Sequence, residues 1–238
     1  MEKVELHFFH GFLGLPEDWD SVLENLSLDN KIEVHRHNLW SFLGELKEVN
    51  FESLQSLISQ KINKTKNRKI GIGYSLGGRI LMHSDPSQFS NYIFIASHPG
   101  LESSSDREGR LKNDAVWSQN FLSMEWDSLI SLWNDQGVFS NDKSRPVRKE
   151  EFFNRELLSQ ALSAFSLGKQ KLKNEFLTSV KDKALWVCGD KDDKFMLLRQ
   201  RIEGLIGNQK IYIVKNSGHG CIFSHPQQLA EIIKGVLS

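Results

Sequence analysis

Short apolar segments alternate with longer amphipathic segments along most of the chain. The short segments are rich in β-branched and aromatic residues, which is typical of buried strands: residues 4–10, 32–37, 69–74, 92–97, 184–189 and 211–215. The longer segments carry apolar residues at helical spacing: residues 51–62, 76–83, 195–206 and 227–237. This alternation predicts an α/β fold with a mostly parallel sheet and helices on both faces.

One long interval departs from the alternation. Residues 101–181 contain no convincing strand, are helical in pattern and carry several aromatic residues. An interval of this length is too long for a bare loop in a compact domain. We therefore predict a core formed by residues 1–100 and 182–238, and a helical cap insertion over residues 101–181. A polar loop near residues 134–148 would separate the cap helices.

Composition narrows the class of protein. Of 238 residues, 39% are hydrophobic and 25% charged, and 30 Lys+Arg balance 30 Asp+Glu, so nothing resembles the basic footprint of a nucleic-acid-binding protein. The first residues do not form a signal peptide, and no segment approaches the roughly 20 apolar residues that span a bilayer. Two cysteines are too few for a disulfide scaffold. We expect a cytoplasmic protein without nucleic-acid or membrane partners, and the sequence leaves its oligomeric state open.

The most specific local signal is GYSLG at residues 73–77, where Ser75 has Gly73 and Gly77 two positions away on either side. It follows a predicted strand and precedes a predicted helix. A serine on such a sharp turn has strained backbone angles, and glycines on both sides avoid a collision. The turn also places the hydroxyl at a helix N-terminus, where developing negative charge is favoured. A phosphate loop is the alternative, but no Gly-Lys-Ser/Thr follows.

Polar segments also follow the last two predicted strands. Three carboxylates come after the first of these strands: Asp190, Asp192 and Asp193. His219 comes after the second, within NSGHG at residues 216–220. A carboxylate can hold an imidazole in the tautomer that accepts a proton from serine. A solvated acidic turn and a surface histidine are the alternatives, and the chain has eight histidines.

The order of these groups along the chain is informative. Serine, aspartate and histidine in this order, each just past a strand, is the order of the α/β-hydrolase fold and not that of chymotrypsin or subtilisin. The Gly-x-x-Asp spacing usual in this fold selects Asp192. The fold also takes oxyanion-hole N–H groups from the loop after an early strand and from the residue after the serine. HGFLG at residues 10–14 makes Phe12 and Leu76 the predicted donors, although an ordinary glycine turn would explain HGFLG alone.

The sequence resembles one subgroup of this superfamily, the 2-succinyl-6-hydroxy-2,4-cyclohexadiene-1-carboxylate (SHCHC) synthases of menaquinone biosynthesis. The more specific similarities are GYSLGGR at residues 73–79 and GDKDDKF at residues 189–195, which match the family's serine turn and its Gly-x-x-Asp-x-Lys-Phe run. Other similar segments are spread over most of the chain: residues 10–14 with Trp19, residues 97–101, Arg110 with Asp114 and Trp117, Trp133 with Phe139, residues 166–168 with Gln170, and Gly218-His219 with Pro226.

The chain also departs from the family pattern. HNLW at residues 37–40 replaces the superfamily's Asp-x-Pro-Gly-His-Gly turn. Ile222 stands where the family usually has a second histidine, and Ser224 where an acidic residue is common. The expected cap arginine has no clear counterpart, and Arg148 and Arg155 are both candidates. These differences bear on the substrate and leave the predicted fold unchanged.

The resemblance implies a carbon–oxygen lyase that releases pyruvate from an enolpyruvyl ether of a succinylated cyclohexene carboxylate (SEPHCHC) and leaves a ring diene. It implies that Ser75, Asp192 and His219 form the catalytic triad and act together as a general base. The N–H groups of Phe12 and Leu76 would then hold an enolate oxygen. It further implies a small-molecule substrate with three carboxylates, bound by residues of the core and the cap: Tyr74, Arg79, Arg110, Trp133, Phe139 and Lys194.

Two other functions stay open at this point. A carboxylic-ester or C–C-bond hydrolase would use the same triad with Ser75 as nucleophile. A binding module without activity is the second, and a complete triad argues against it. We expect no cofactor, because Gly71-x-Gly73 lacks the third glycine of a dinucleotide fingerprint, and no metal, because neither cysteine has metal-ligand spacing.

Overall fold

The computed structural model describes residues 3–62, 65–142 and 145–237. Residues 1, 2, 63, 64 and 238 of the predicted core, and residues 143 and 144 of the predicted polar loop, lie outside the described residues. The described chain forms a six-stranded sheet in the order β2-β1-β3-β4-β5-β6, and every neighbouring pair is parallel. The strands are β1 Val4–Phe9, β2 Ile32–His37, β3 Arg68–Tyr74, β4 Asn91–Ile95, β5 Ala184–Gly189 and β6 Ile211–Val214.

The strand order reverses direction beside β1. The chain passes from β1 outward to β2, then returns across β1 to β3 and continues to β6 at the other edge. In open α/β sheets a crevice forms at such a reversal, at the carboxyl ends of the strands, and ligands bind there. The loop after β1 and the turn after β3 both open onto this crevice, so the topology brings residues 10–14 next to Ser75.

Helices cover both faces of the sheet. On one face α1 and α11 pack against Leu6, Ile70 and Ile93. On the other face α2, α3, α4 and α9 pack in an apolar cluster with Phe9 and Phe94. The helices are α1 Asp20–Glu24, α2 Leu39–Glu45, α3 Phe51–Ile62, α4 Leu76–Leu81, α5 Ser104–Ser123, α6 Trp126–Asn134, α7 Arg155–Ala164, α8 Asn174–Ser179, α9 Asp193–Ile206, α10 Cys221–Ser224 and α11 Pro226–Leu237.

Side chains at the helix starts explain several of these boundaries. Asn38 accepts hydrogen bonds from the Trp40 and Ser41 N–H groups and so begins α2. Ser103 and Asn154 begin α5 and α7 in the same way. Such caps satisfy N–H groups that have no partner within the helix. The HNLW segment that replaces the superfamily's glycine-rich turn therefore starts a helix.

The predicted helical interval contains α5 to α8, and its described residues contain no strand. Helices α5 and α7 pack side by side, and Ser118 on α5 contacts Ser159 on α7 at 2.7 Å between hydroxyl oxygens. Trp117, Trp126 and Leu158 of this interval share one apolar cluster with the sheet. The division into a core and a cap at residues 101–181 stays a prediction.

Small differences from the sequence-based boundaries occur at strand and helix ends. The first strand ends at Phe9, the fourth spans Asn91–Ile95, and the helix after Ser75 ends at Leu81. The predicted polar loop contains a 3₁₀ turn at Gly137–Phe139. No helix among the described residues combines the length and apolar character needed to cross a membrane.

Candidate active site

Ser75 lies on a sharp turn between β3 and α4. Its backbone has φ 50° and ψ −110°, a conformation that costs an L-residue energy. A Cβ added at Gly73 would collide with the backbone nitrogen of Gly78, and one added at Gly77 with the carbonyl oxygen of Phe9. The two glycines flanking Ser75 are therefore required sterically. The turn lifts the Ser75 hydroxyl above the carboxyl edge of the sheet.

Three side chains from distant parts of the chain meet at this edge. His219 Nε2 lies 3.1 Å from Ser75 Oγ, and His219 Nδ1 lies 2.8 Å from Asp192 Oδ2. Asp192 and His219 are buried, at 3% and 5% exposure. A carboxylate on Nδ1 leaves Nε2 free to accept the hydroxyl proton. The geometry is that of a serine whose hydroxyl can be deprotonated by a neighbouring imidazole.

The three acidic candidates after β5 have different surroundings. Asp192 contacts the imidazole, and the ring of Phe195 packs against His219 at 5.1 Å between centroids. Asp190 Oδ1 accepts a hydrogen bond from the Ser217 N–H at 3.3 Å, so it shapes the loop that carries His219. Asp193 is exposed at the first position of α9. Only Asp192 is therefore placed to orient the imidazole.

The loop after β1 presents backbone N–H groups beside Ser75. Among the described residues, neither the Phe12 N–H nor the Leu76 N–H donates to a protein acceptor. His10 stabilises the loop: its Nε2 accepts from the Leu39 N–H at 3.0 Å, so its Nδ1 carries the proton and donates to the Gly11 carbonyl at 2.8 Å. Burial lowers the pKa of His10 to about 4, which keeps this ring neutral. Free N–H groups here are suited to an oxyanion.

A cavity of about 650 Å³ opens above Ser75. Its wall includes all of the predicted catalytic, oxyanion-hole and substrate-binding residues: Phe12, Tyr74, Ser75, Leu76, Arg79, Arg110, Trp133, Phe139, Asp192, Lys194 and His219. Trp133 packs against Phe12 at 4.9 Å between ring centroids, and Phe139 packs against His219 at 5.7 Å. Aromatic side chains thus close the side of the cavity opposite the sheet.

Arg79 is the most buried cation of the cavity, with 9% exposure. Its Nε donates to Gln170 Oε1 and its Nη2 to the Phe165 carbonyl, both at 2.6 Å. It has no carboxylate partner among the described residues. Burial, together with repulsion from Arg110, lowers the pKa of Arg79 to about 9, so it stays charged at pH 7.

Arg110 and Lys194 add positive charge beside Arg79. Arg110 Nε bonds both carboxylate oxygens of Asp114 at 2.8 Å, so part of its charge is balanced. The Lys194 side chain lines the cavity, where protein atoms surround it and reduce its contact with bulk water. This enclosure, with repulsion from Arg110 and Arg79, lowers the pKa of Lys194 to about 8. A bound anion would relieve that repulsion.

The sequence pattern does not predict a role for two residues near the cavity, Arg145 and Asp142. Arg145 stacks on Phe139, with its guanidinium carbon 3.4 Å from the ring centroid, and lines the cavity without a carboxylate partner among the described residues. Of the two cap candidates, Arg148 lines the cavity and pairs bidentately with Asp18 at 2.8 Å. Arg155 lies elsewhere and bonds the Met124 carbonyl. No local motif marks Arg145.

A second missed residue holds the loop that carries His219. Asp142 accepts from the Gly220 N–H with both carboxylate oxygens at 2.9 Å. Its neighbour Asn141 donates to the Lys191 carbonyl at 2.8 Å, next to Asp192. Segment 139–142 of the predicted polar loop therefore contacts both loops that carry the triad partners of Ser75.

Comparison with known proteins agrees with this architecture. The family described as "Alpha/beta hydrolase family" matches residues 8–232. A "Putative 2-succinyl-6-hydroxy-2,4-cyclohexadiene-1-carboxylate synthase" of Haemophilus influenzae is 29% identical over 210 residues, covering 82% of this chain and 83% of that protein. A 2-succinyl-6-hydroxy-2,4-cyclohexadiene-1-carboxylate synthase of Pectobacterium atrosepticum is 28% identical over 245 residues, covering 96% and 92%.

Solved structures show the same fold. The structure titled "Structure of MenH from S. aureus" superposes with a TM-score of 0.86 at 19% identity, covering 100% of this chain and 94% of that chain. A bromoperoxidase from Bacillus anthracis superposes with a TM-score of 0.71 at 13% identity, covering 100% and 92%. At these identities the likeness concerns the fold alone.

Proposed function

Because the chain belongs to the alpha/beta hydrolase family, we propose that it uses this fold as a carbon–oxygen lyase, an SHCHC synthase that eliminates pyruvate from SEPHCHC. The observation that carries the proposal is the set of cations beside Ser75: Arg79, without a carboxylate partner among the described residues, together with Arg110 and Lys194. Curated relatives bearing the synthase name match most of the chain. A cavity with surplus positive charge suits a substrate that carries several carboxylates.

The proposed reaction starts with two proton transfers. His219 accepts the Ser75 hydroxyl proton, with Asp192 stabilising the resulting imidazolium, and the Ser75 oxygen removes an acidic proton from the substrate ring. Proton removal leaves the C–H electrons in an enolate of the substrate. When this enolate collapses, those electrons form a new ring double bond and the C–O bond to the enolpyruvyl group breaks. The departing pyruvate enolate takes the proton held by the His219 imidazolium and becomes pyruvate, which returns His219 to its neutral form. General-base action of this kind contributes roughly 100- to 10,000-fold to the rate.

The N–H groups of Phe12 and Leu76 would stabilise the charge that develops during proton removal. They are preorganised on a strained turn and a fixed loop, so little reorganisation is needed during the reaction. One such donor is worth roughly 100- to 1,000-fold in kcat in other enzymes. The enolate oxygen formed on proton loss is the group that would occupy this position.

The cations would orient the substrate. Arg79 is held by Gln170 and the Phe165 carbonyl, so its remaining N–H donors have a fixed direction. Bidentate arginine–carboxylate pairs give both energy and geometry. Trp133, Phe139 and Tyr74 would supply the apolar walls against the ring. We further propose that residues 101–181 act as a cap that excludes water, and that this reaction takes place in the cytoplasm.

Pyruvate release from SEPHCHC, coupled to lactate dehydrogenase, tests the proposal. The chain should release pyruvate, Ser75→Ala should reduce kcat by at least roughly 100-fold, and Ser123→Ala, which removes an exposed hydroxyl on α5, should match the wild type. The hydrolase alternative predicts instead a burst of p-nitrophenol from a p-nitrophenyl ester that depends on Ser75. Ester hydrolysis without pyruvate release would replace the lyase assignment with a hydrolase.

A further inference from the structure

A group of polar side chains outside the catalytic cavity lies on one face of the sheet. Side chains two residues apart on a strand share a face, and the strand register places His7 of β1 opposite His35 of β2. Glu5, His7 and His35 therefore converge, and one nitrogen or oxygen atom of each lies within 4.8 Å of the others. Glu5 and His7 are both only 2% exposed. None of the three lines the catalytic cavity, so the proposed reaction does not use them.

Hydrogen bonds behind these side chains fix their direction. His7 Nδ1 lies 2.9 Å from His37 Nε2, which leaves His7 Nε2 facing Glu5 Oε2 at 3.2 Å. Glu5 Oε1 accepts hydrogen bonds from Thr65 and from Asn67, so Oε2 is the oxygen left toward the histidines. Metal-ligating histidines and carboxylates are commonly held by such outer hydrogen bonds.

We propose that Glu5, His7 and His35 form a binding site for a Zn²⁺ ion. Carboxylate oxygens and imidazole nitrogens bind zinc at about 2.0–2.2 Å, which puts the ligand atoms of a tetrahedral ion roughly 3.3 Å apart. The 3.2 Å between Glu5 Oε2 and His7 Nε2 fits that spacing. The His35 side chain is 33% exposed, which gives an entry path from solvent. Its Nε2 is buried 3.2 Å from Glu33 Oε1, and its ring stacks on that of His7 at 4.6 Å between centroids, so binding the ion requires the His35 ring to turn toward Glu5.

The ion would join the edge strand to the sheet. β2 pairs only with β1 among the described strands, and its residues are mostly half-buried or exposed. A metal bound by side chains of both strands would oppose fraying of this edge. Lys69 lies near Glu5, with its ammonium bonded to the Thr65 and Asn67 carbonyls. It balances the carboxylate charge in the protein without the ion.

Zinc titration of the untagged full chain, stripped with EDTA and measured against a chromophoric chelator, tests the site. The wild type should bind one equivalent. Glu5→Gln and His35→Gln should bind at least roughly tenfold more weakly, because losing even an outer hydrogen-bond partner of a metal ligand costs that much. His225→Gln is the matched control, because this half-buried histidine contacts Ser224 away from the cluster and should bind as the wild type does. Substituted Co²⁺ should give a tetrahedral visible spectrum only where the site is intact.

Equal zinc affinity of the wild type and His35→Gln would overturn the site and leave a hydrogen-bonded histidine cluster. Circular dichroism shows whether each variant folds. If Glu5→Gln does not fold, His35→Gln decides the matter, because its side chain is the most exposed of the three. Binding is measured directly, so the outcome is independent of whether the protein releases pyruvate.

Discussion

The two sides of the catalytic cavity are held in place by different means. On the sheet side, strand ends and glycine turns position Ser75 and His219, so the backbone determines where these groups lie. On the opposite side, long side chains reach between distant segments, as Arg148 does to Asp18 over 130 positions. Functional groups that a backbone turn positions are accompanied by a local sequence motif. Functional groups that tertiary side-chain contacts position have no such motif.

The comparison predicts the largest losses on the sheet side. Asp192→Asn would place an amide N–H against His219 Nδ1 and shift the imidazole to the tautomer that cannot accept the Ser75 proton. We expect kcat for pyruvate release to fall roughly 10,000-fold, the size of the tautomer effect in serine proteases, with the circular dichroism spectrum unchanged. Asp190→Asn, whose carboxylate bonds the Ser217 N–H, should change kcat only a few-fold. Equal losses in the two variants would contradict the assignment of Asp192.

Arg79 joins the two sides, because it lies on α4 and bonds the Phe165 carbonyl of the predicted cap. Arg79→Met removes the charge and keeps much of the length. We expect kcat/KM to fall roughly 10- to 100-fold, corresponding to one charge-assisted hydrogen bond. Arg199→Met, which breaks a surface pair with Glu203, is the control and should leave kcat/KM unchanged. Unchanged kcat/KM in Arg79→Met would show that Arg79 only packs against the cap.

Asp142 tests whether the cap side positions the triad. Asp142→Ala leaves the Gly220 N–H without its acceptor, which should lower the free energy of unfolding by about 1–3 kcal/mol. We expect kcat to fall roughly tenfold, within the cost of a small misplacement of a catalytic group, while KM changes little. Asp142→Asn keeps one acceptor and should restore part of kcat, and Asp135→Ala, an exposed change, should have no effect. A rise in KM with kcat unchanged would instead place Asp142 in substrate binding.

The smallest expected effect is a pH dependence from Lys194. Its pKa, lowered to about 8, means that the free protein loses this positive charge as the pH rises through 8. KM for the anionic substrate should therefore rise a few-fold between pH 7 and roughly pH 8.5, below the pKa of about 9 of Arg79, as expected for loss of one partly solvated charge. Lys194→Met should have a high KM at pH 7 and a flatter profile. The same rise of KM in both proteins would assign the titration to another group.

Sequence pattern was enough to predict the α/β fold and the Ser75 turn. It also predicted that Asp192 and His219 lie beside Ser75, because each follows the end of a strand by a few residues. It could not reveal Arg145 or Asp142, since their importance depends on how the polar loop folds back over residues 191 and 220. Nor does it distinguish Arg148 from Arg155, because both are cap arginines and only the folded chain shows which one reaches the cavity.

The claim on which the account depends is that Ser75 acts as a base and forms no covalent bond to the substrate. Intact-mass spectrometry of the protein, acid-quenched during turnover of SEPHCHC while pyruvate is measured in the same samples, tests this directly. The account predicts pyruvate release with the mass of the protein unchanged throughout. An ester on Ser75 that forms and decays during turnover would contradict it.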